Sequence, residues 1–429
     1  MVGKAGDQAL RRSAFQEAIA HLGKAIAMAD KAGGVSDQWQ KLHVTYGNAL
    51  IAARGPGAKQ TTEAFARARE STAGGKDAPD RLAADYGLWT GSYNRGELLA
   101  MRKHAAAFLA DVEARPNSPE AGVACRVAGL TCWFAGEYRK ARDHFERAFA
   151  LFQPGRDDDL TFRFGQDAGV SAMANLASAS WALGDIDRAI SLVNAMLTRI
   201  AGLTHAGTLA FGRLHAAMFE LTRGHLSRAA PHAAELARLA RAHHLLWFGA
   251  FGVFLEGWAN ADGGEPGSGL ENMRRGIDLL REQNALMFDG LLKKALAEAE
   301  TRAGDPQRAL AILAEALTTC DRTGYRAFES ELHRARGEVL RDSNPANLVP
   351  AEEAFQTAIA IAKRQGARSF ELRAALSLAK LHQSAGHPVD AHDVLAPALE
   401  GFSPTPEMRE IEEAQALLTA LAEDTAKFP

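Results

Sequence analysis

Cysteine is nearly absent from this sequence: Cys125, Cys132 and Cys320 are the three thiols in 429 residues. So few cannot build a disulfide framework, which fits a reducing compartment. Cys125 and Cys132 lie seven apart on one face of a predicted helix. With no histidine or cysteine at ligand spacing beside them, they read as small buried hydrophobes rather than a metal pair. No run of 18 apolar residues occurs, and the N-terminus lacks the apolar stretch of a secretory signal. The expectation is a cytoplasmic protein that makes no use of a membrane. Net charge is also lacking, at -3 with no basic stripe, which excludes a general nucleic-acid binder. Aromatics make up only 7% of a chain that is 47% hydrophobic. The core must therefore be largely alanine and leucine, both strong helix formers whose use lets helices approach closely. Alternating β-branched runs are scarce, so no sheet is expected.

What is present is a repeat. Glycine followed five residues later by alanine recurs at Gly136/Ala141, Gly184/Ala189, Gly224/Ala229, Gly304/Ala309 and Gly386/Ala391. Gly184, Gly224, Gly264 and Gly304 are spaced by 40, and Gly55, Gly96 and Gly136 by 41 and 40. A period of this length in a helix-rich chain marks a helical solenoid. Such an array escapes the size limit of a single core, because each unit buries its apolar face only against its neighbours.

The unit from Val123 to Leu151 shows how one repeat works. Its first helix carries Ala128, Gly129, Cys132 and Trp133, and Gly136 ends it, since a residue without Cβ takes the left-handed conformation cheaply. Tyr138 plugs the gap between the helices. Ala141, Phe145 and Ala148 then form one apolar stripe on the second helix, and a side chain larger than alanine at 141 would push the pair apart.

Gly129, Gly136, Tyr138, Ala141, Phe145 and Ala148 resemble the tetratricopeptide pattern position for position. The pattern returns at Ala177/Gly184/Ala189, at Ala297/Gly304/Ala309/Leu313/Ala316 and at Ala379/Gly386/Ala391/Leu395/Ala398. The usual unit is about 34 residues, so the longer period here lengthens each helix by nearly a turn. Toward the C-terminus the run Glu331-Leu332-His333-Arg334, then Gly337-Glu338, Asn344-Pro345, Ala351-Glu352, Phe355, Glu371-Leu372-Arg373-Ala374-Ala375, Ser377-Leu378 and Val394-Leu395-Ala396-Pro397 is distinctive. So is Phe164-Gly165-Gln166-Asp167 ahead of Trp181-Ala182-Leu183-Gly184. Together these resemble the C-terminal repeat region of bacterial class III adenylate/guanylate cyclase–ATPase fusion proteins. In that family a cyclase domain and an ATPase domain precede the repeats; neither has a counterpart in this sequence.

The sequence offers no catalytic motif. Gly55-Pro56-Gly57-Ala58-Lys59-Gln60-Thr61-Thr62 lacks a glycine directly before the lysine and follows a helix, so it reads as a helix–helix turn rather than a phosphate loop. The stretch from Gly263 to Gly269 reads as a flexible turn. Asp157-Asp158-Asp159 falls in the one stretched interval and lacks the alternating oxygens of a cation loop. It reads as a solvated loop capping the next helix. His243 and His244 point to different sides of a helix and do not share a metal. The expectation is no enzyme, no cofactor and no metal.

In tetratricopeptide arrays the first helix of each pair lines the concave surface. Carried over, this places Tyr86, Tyr93, Trp133, Phe134, Trp181, Phe211, Met218, Phe251, Phe254 and Trp258 in an aromatic groove. Beyond them come Lys294, Glu298, Arg302, Arg334, Glu338, Arg341, Arg373 and Lys380, a mostly basic end. An apolar trough grading into charge suits an amphipathic helix or peptide; the competing reading makes the aromatics core and the charges an ordinary solvated face. By the repeat register Gly6 falls inside a first helix, so the first repeat looks truncated, leaving an edge open to self-association or to a covering partner.

The expected fold is all-α: a right-handed tetratricopeptide-like solenoid of about ten helix pairs over residues 1–402, a capping helix over 403–421 and a disordered tail over 422–429. The expected function is a non-catalytic protein-interaction and regulatory scaffold that binds a protein or peptide on its concave face. The alternative is the regulatory half of a split adenylate cyclase/ATPase, with a nucleotide-binding ATPase or cyclase domain as partner.

Overall fold

The computed structural model describes residues 2–33, 37–70, 79–261 and 266–427. Among these residues there are 22 helices and no strand. They follow in helix–turn–helix pairs: α1 (Val2–Arg11) with α2 (Phe15–Lys31), α3 (Asp37–Arg54) with α4 (Lys59–Glu70), α5 (Pro79–Arg95) with α6 (Leu98–Val112), and α7 (Pro119–Phe134) with α8 (Tyr138–Leu151). A five-residue helix, α9 (Leu160–Phe164), interrupts the series. It resumes with α10 (Ala168–Ala182) and α11 (Ile186–Ala201), α12 (Ala206–Arg223) and α13 (Leu226–Ala242), and α14 (Leu246–Ala261) and α15 (Pro266–Glu282). The last pairs are α16 (Asp289–Arg302) with α17 (Pro306–Thr323), α18 (Glu329–Ser343) with α19 (Val349–Gln365), and α20 (Arg368–Ser384) with α21 (Pro388–Leu399). A single helix, α22 (Arg409–Lys427), follows them. The chain is a tetratricopeptide-like α-solenoid.

The repeat glycines act as expected. Gly136, Gly184, Gly224, Gly304 and Gly386 all have φ between +76° and +91°, the region in which a Cβ is strained. Gly264 and the stretch 263–265 lie outside the described residues. The other pattern glycine works by proximity. A Cβ at Gly129 on α7 would lie 2.4 Å from the Phe145 ring on α8, and one at Gly337 on α18 would lie 2.5 Å from the Phe355 ring on α19. In both pairs the ring fills the space of the missing side chain and is fully buried, worth about 1.5–3 kcal/mol per ring.

The chain divides into two compact units. Unit 1 is Met1–Phe134, Lys140–Leu176 and Leu192–Phe288; unit 2 is Ala135–Arg139, Ala177–Ser191 and Asp289–Pro429. Within unit 1 the array curls so far that α14, from the seventh pair, packs on α3, from the second. The lock is Asn94. Its Oδ1 accepts from Trp247 Nε1 at 3.0 Å, its Nδ2 donates to the carbonyl of Asn284 at 3.1 Å, and its carbonyl accepts from Leu286 N at 2.8 Å. Helix α9 packs against α3 and α5; Asn48 Nδ2 fastens it by donating to the carbonyls of Phe162 (3.0 Å) and Arg163 (2.9 Å).

Several sequence expectations need correction. Asp157 is buried rather than solvated; its carboxylate accepts from Gln153 N at 2.8 Å and pairs with Arg156 at 2.6 Å. Asp158 and Asp159 are exposed, and Asp159 sits at the N-cap of α9 without making a side-chain cap bond. Cys125 and Cys132 are half-buried, and Cys320 alone of the three is fully buried. The last helix starts at Arg409 rather than near residue 403 and continues to Lys427, so 422–427 are helical. Residues 428 and 429 lie outside the described set.

Candidate functional site

Unit 1 encloses a cavity of about 90 Å³, in the measure by which one water needs about 10–15 Å³. Its walls come from the first helices of successive pairs, because these face inward when the array curls. Tyr86, Trp89 and Tyr93 stand at i, i+3 and i+7 on α5, one face of the helix, with Trp89 and Tyr93 stacked at 5.1 Å and 8°. Phe211 and His215 come from α12, their rings 4.1 Å apart. Trp247 from α14 and Phe248 beside it meet edge to face at 4.9 Å. Phe164 of α9 closes one side, edge-on to Tyr86 at 5.2 Å. Leu10 of α1 is 3% exposed and lines this same cavity.

The polar groups in the wall are few. Arg126 on α7 is 4% exposed. Its Nη2 donates to Tyr86 Oη at 3.1 Å, and its guanidinium carbon lies 5.2 Å from the centre of the Tyr86 ring. Asn175 on α10 has a buried Nδ2 without a partner, and Asn48 on α3 a buried Oδ1 without one; both residues line the cavity. Burial, followed by the Arg126 cation, holds the His215 imidazole down to about 3, so it is neutral near pH 7. Burial likewise lowers His205 to about 4, against the opposing pull of Asp167; its Nδ1 accepts from Thr208 N at 3.2 Å as the N-cap of α12. The cavity is thus mostly aromatic and apolar, and served by one permanent cation.

Of the residues expected in the groove, Tyr86, Tyr93 and Phe211 line the cavity. Trp133, Phe134, Met218, Phe251, Phe254 and Trp258 are buried in the packing of unit 1 at 0–7% exposure. Phe134 packs on Tyr93 at 5.2 Å and on Phe288 at 6.1 Å, and Phe251 on Trp247 at 4.8 Å. Trp89, Arg126, Asn48, Asn175, His215, Trp247 and Phe248 escaped the sequence reading. A signal for some of them existed: Arg126 and Asn175 each stand alone as polar long side chains inside otherwise small or apolar helical runs.

Unit 2 replaces the expected basic face with a buried, neutralised network. Arg334 pairs with Glu331 at 2.8 Å and with Glu338 at 2.7 Å. Arg373 pairs with Glu410 at 2.8 Å and Glu331 at 3.4 Å, and its guanidinium lies over Trp181 at 4.8 Å. Lys294 reaches Glu298 at 2.9 Å and Glu331 at 4.0 Å. Burial alone would raise the Glu331 carboxyl, but Arg334, Arg373 and Lys294 outweigh it and hold it down to about 2. Arg334 and Arg373 are 8% and 6% exposed, and Arg341 pairs with Asp342 at 2.7 Å. Trp181, also 2% exposed, belongs to this network rather than to a groove.

A curled array of paired helices enclosing an aromatic cavity defines the class: a helical-repeat protein with tetratricopeptide-like units. No family model matches the chain. An uncharacterized protein of Rhizobium meliloti (strain 1021) is 28% identical over 251 residues, 57% of this chain and 24% of that protein; the chain thus spans about a quarter of that relative's length. Among solved structures, a Rap protein complexed with competence and sporulation factor superposes with a TM-score of 0.58 at 12% identity, covering 85% of this chain and 97% of the Rap chain. The human IFIT1 dimer with m7Gppp-AAAA gives 0.48 at 13% identity, covering 94% and 86%. Among the described residues no helix is long and apolar enough to cross a membrane.

Proposed function

We propose that the protein is a non-catalytic interaction module that holds one end of a short apolar segment of a partner in the unit 1 cavity. The observation that carries this reading is the cavity wall, in which aromatic side chains from α5, α12 and α14 converge on an enclosed space. Filling apolar volume with a few fixed polar groups is how recognition pockets combine affinity with orientation. The Rap protein of like fold is complexed with competence and sporulation factor, which supports a separate binding partner for this fold rather than a substrate.

Trp89 and Trp247 supply the test, since both line the cavity. Titration with acetyl-Leu-Phe-amide is expected to change tryptophan emission saturably. Ala52→Phe, which fills the cavity from a half-buried wall position, is expected to abolish the change while the circular dichroism stays intact. An identical titration in that variant would move the binding site elsewhere.

A second reading rests on the resemblance of the repeats to those of cyclase–ATPase fusion proteins; the Rhizobium relative, itself uncharacterized, adds only that a segment like this one occurs within a longer chain. On this reading the chain is the regulatory half of a split adenylate cyclase/ATPase. Co-purification with a nucleotide-binding protein whose turnover changes on removal of this chain is the expected result; unaltered turnover would dismiss it.

A further inference from the structure

We infer that the unit 1 cavity recognises a carboxylate carried on an aromatic or branched apolar body, with Arg126 as the group that binds the anion. This deepens the binding reading given above and rests on it.

Arg126 is a charge without a counter-charge. Among the described residues no carboxylate lies within ion-pair distance of Arg126, whose side chain is almost fully buried. Asp157, which shares a smaller neighbouring pocket with it, is committed to Arg156 at 2.6 Å. A guanidinium does not shed its proton, so this charge persists in the folded protein. Burying an unpaired charge is costly, and the Tyr86 hydrogen bond and ring contact offset only part of that cost, a cation–π contact contributing about 0.5–2 kcal/mol.

The two histidines in the wall do not share the task, because burial keeps His205 and His215 neutral near pH 7. The unit 2 network makes the contrast clear: there each buried Arg or Lys named has carboxylate partners, Glu331 serving three of them. In unit 1 the carboxylate is missing and a cavity stands in its place. Asn175 lines the same cavity with a buried, unpartnered Nδ2, a second donor suited to an anionic oxygen. Guanidinium and amide N–H groups favour a planar, two-oxygen acceptor, and the stacked Trp89 and Tyr93 rings favour a flat apolar body.

Two sources carry this chemistry, the free C-terminus of a peptide and a small aryl-alkanoic acid, and a binding comparison separates them. Wild type is titrated with acetyl-Leu-Phe and acetyl-Leu-Phe-amide, and with 3-phenylpropionate and 3-phenylpropanamide, reading tryptophan emission and calorimetric heat. The expected result is binding of an acid at least tenfold tighter than its amide, with the ratio falling to near one in Arg126→Gln and partly kept in Arg126→Lys. Preference within the peptide pair alone assigns a C-terminus; the same preference in the phenylpropionate pair assigns a free acid. Equal binding of acid and amide would overturn the carboxylate inference and leave the apolar-segment reading standing. No binding of any probe at 5 mM to folded wild type, about a fiftyfold excess over a 0.1 mM affinity by simple mass action, would overturn both. The acid–amide comparison needs no variant, so it decides the matter even if Arg126→Gln does not fold.

Discussion

Trp247 Nε1 donates to Asn94 Oδ1 at 3.0 Å across 153 residues of sequence. Asn94 is fully buried and uses both ends of its amide plus its carbonyl to hold α14 and the segment around Leu286 against α5. Nothing in the repeat requires the seventh pair to meet the third, so this asparagine on α5 is a specific fastening. Asn94→Ala leaves an indole N–H and a backbone carbonyl without partners, at about 1–3 kcal/mol for a buried group left unsatisfied. Chemical denaturation should show a loss of about 2–4 kcal/mol, together with loss of probe binding in the cavity. A loss under about 0.5 kcal/mol would mean that apolar packing alone closes unit 1.

The glycine–phenylalanine contacts predict an inversion of helix propensity. In an exposed helix, Gly→Ala stabilises by about 0.5–1 kcal/mol. At Gly129 the new methyl would meet the Phe145 ring at 2.4 Å, so Gly129→Ala should instead cost about 1–3 kcal/mol from overpacking. Gly249 in α14 is the control, its nearest neighbour being Ala240 at 3.8 Å. Gly249→Ala should be neutral or stabilising by thermal melting; equal effects at both positions would refute the close-approach account.

Unit 2 should weaken in acid through Glu331. Its folded carboxyl is held down to about 2, below the ordinary glutamate value. A depressed acid contributes stability that is present above its unfolded pKa and is lost as pH falls through the folded one. The loss therefore runs from about pH 4.5 toward pH 2. Glu331→Gln should abolish this part of the pH dependence and destabilise unit 2 by about 1.5–3 kcal/mol, the scale of hydrogen bonds to charged groups, since it leaves Arg334 to Glu338 and Arg373 to Glu410 alone. Denaturant midpoints at pH 3 and 6 check both effects, and parallel pH curves for variant and wild type would exclude Glu331 as the source.

His215 acts at higher pH. Its folded pKa is held down to about 3, against an unfolded value near 6.5. Below pH 6.5 the unfolded chain takes up a proton that the folded site refuses, so stability falls from about pH 6.5 toward pH 3. NMR titration should find the His215 ring neutral throughout pH 5–8. A midpoint near 6.5 would mean that the ring is open to water and that the cavity is wet.

The helix–turn–helix period was readable because it is local. A left-handed glycine, the small residue that follows it and the ring that fills the space of Gly129 are each dictated by neighbours within about 20 residues, where helix geometry fixes who meets whom. The inward face of the first helices was readable for the same reason, and Tyr86, Tyr93 and Phe211 follow from it. What periodicity cannot encode is how far the array curls. That depends on small differences in packing angle summed over several pairs, and in unit 1 the sum brings α14 onto α3 and turns a groove into a cavity. The same side chains then divide by depth, Trp133 and Trp258 into the core and Trp89 and Trp247 onto the wall. Charge was legible in kind and not in pairing. Arg126, Arg334 and Arg373 look alike in sequence, each on a first helix, but only the tertiary structure surrounds two of them with glutamates and leaves the third facing an apolar space, because ion pairing depends on distances of a few ångströms between helices a whole repeat apart.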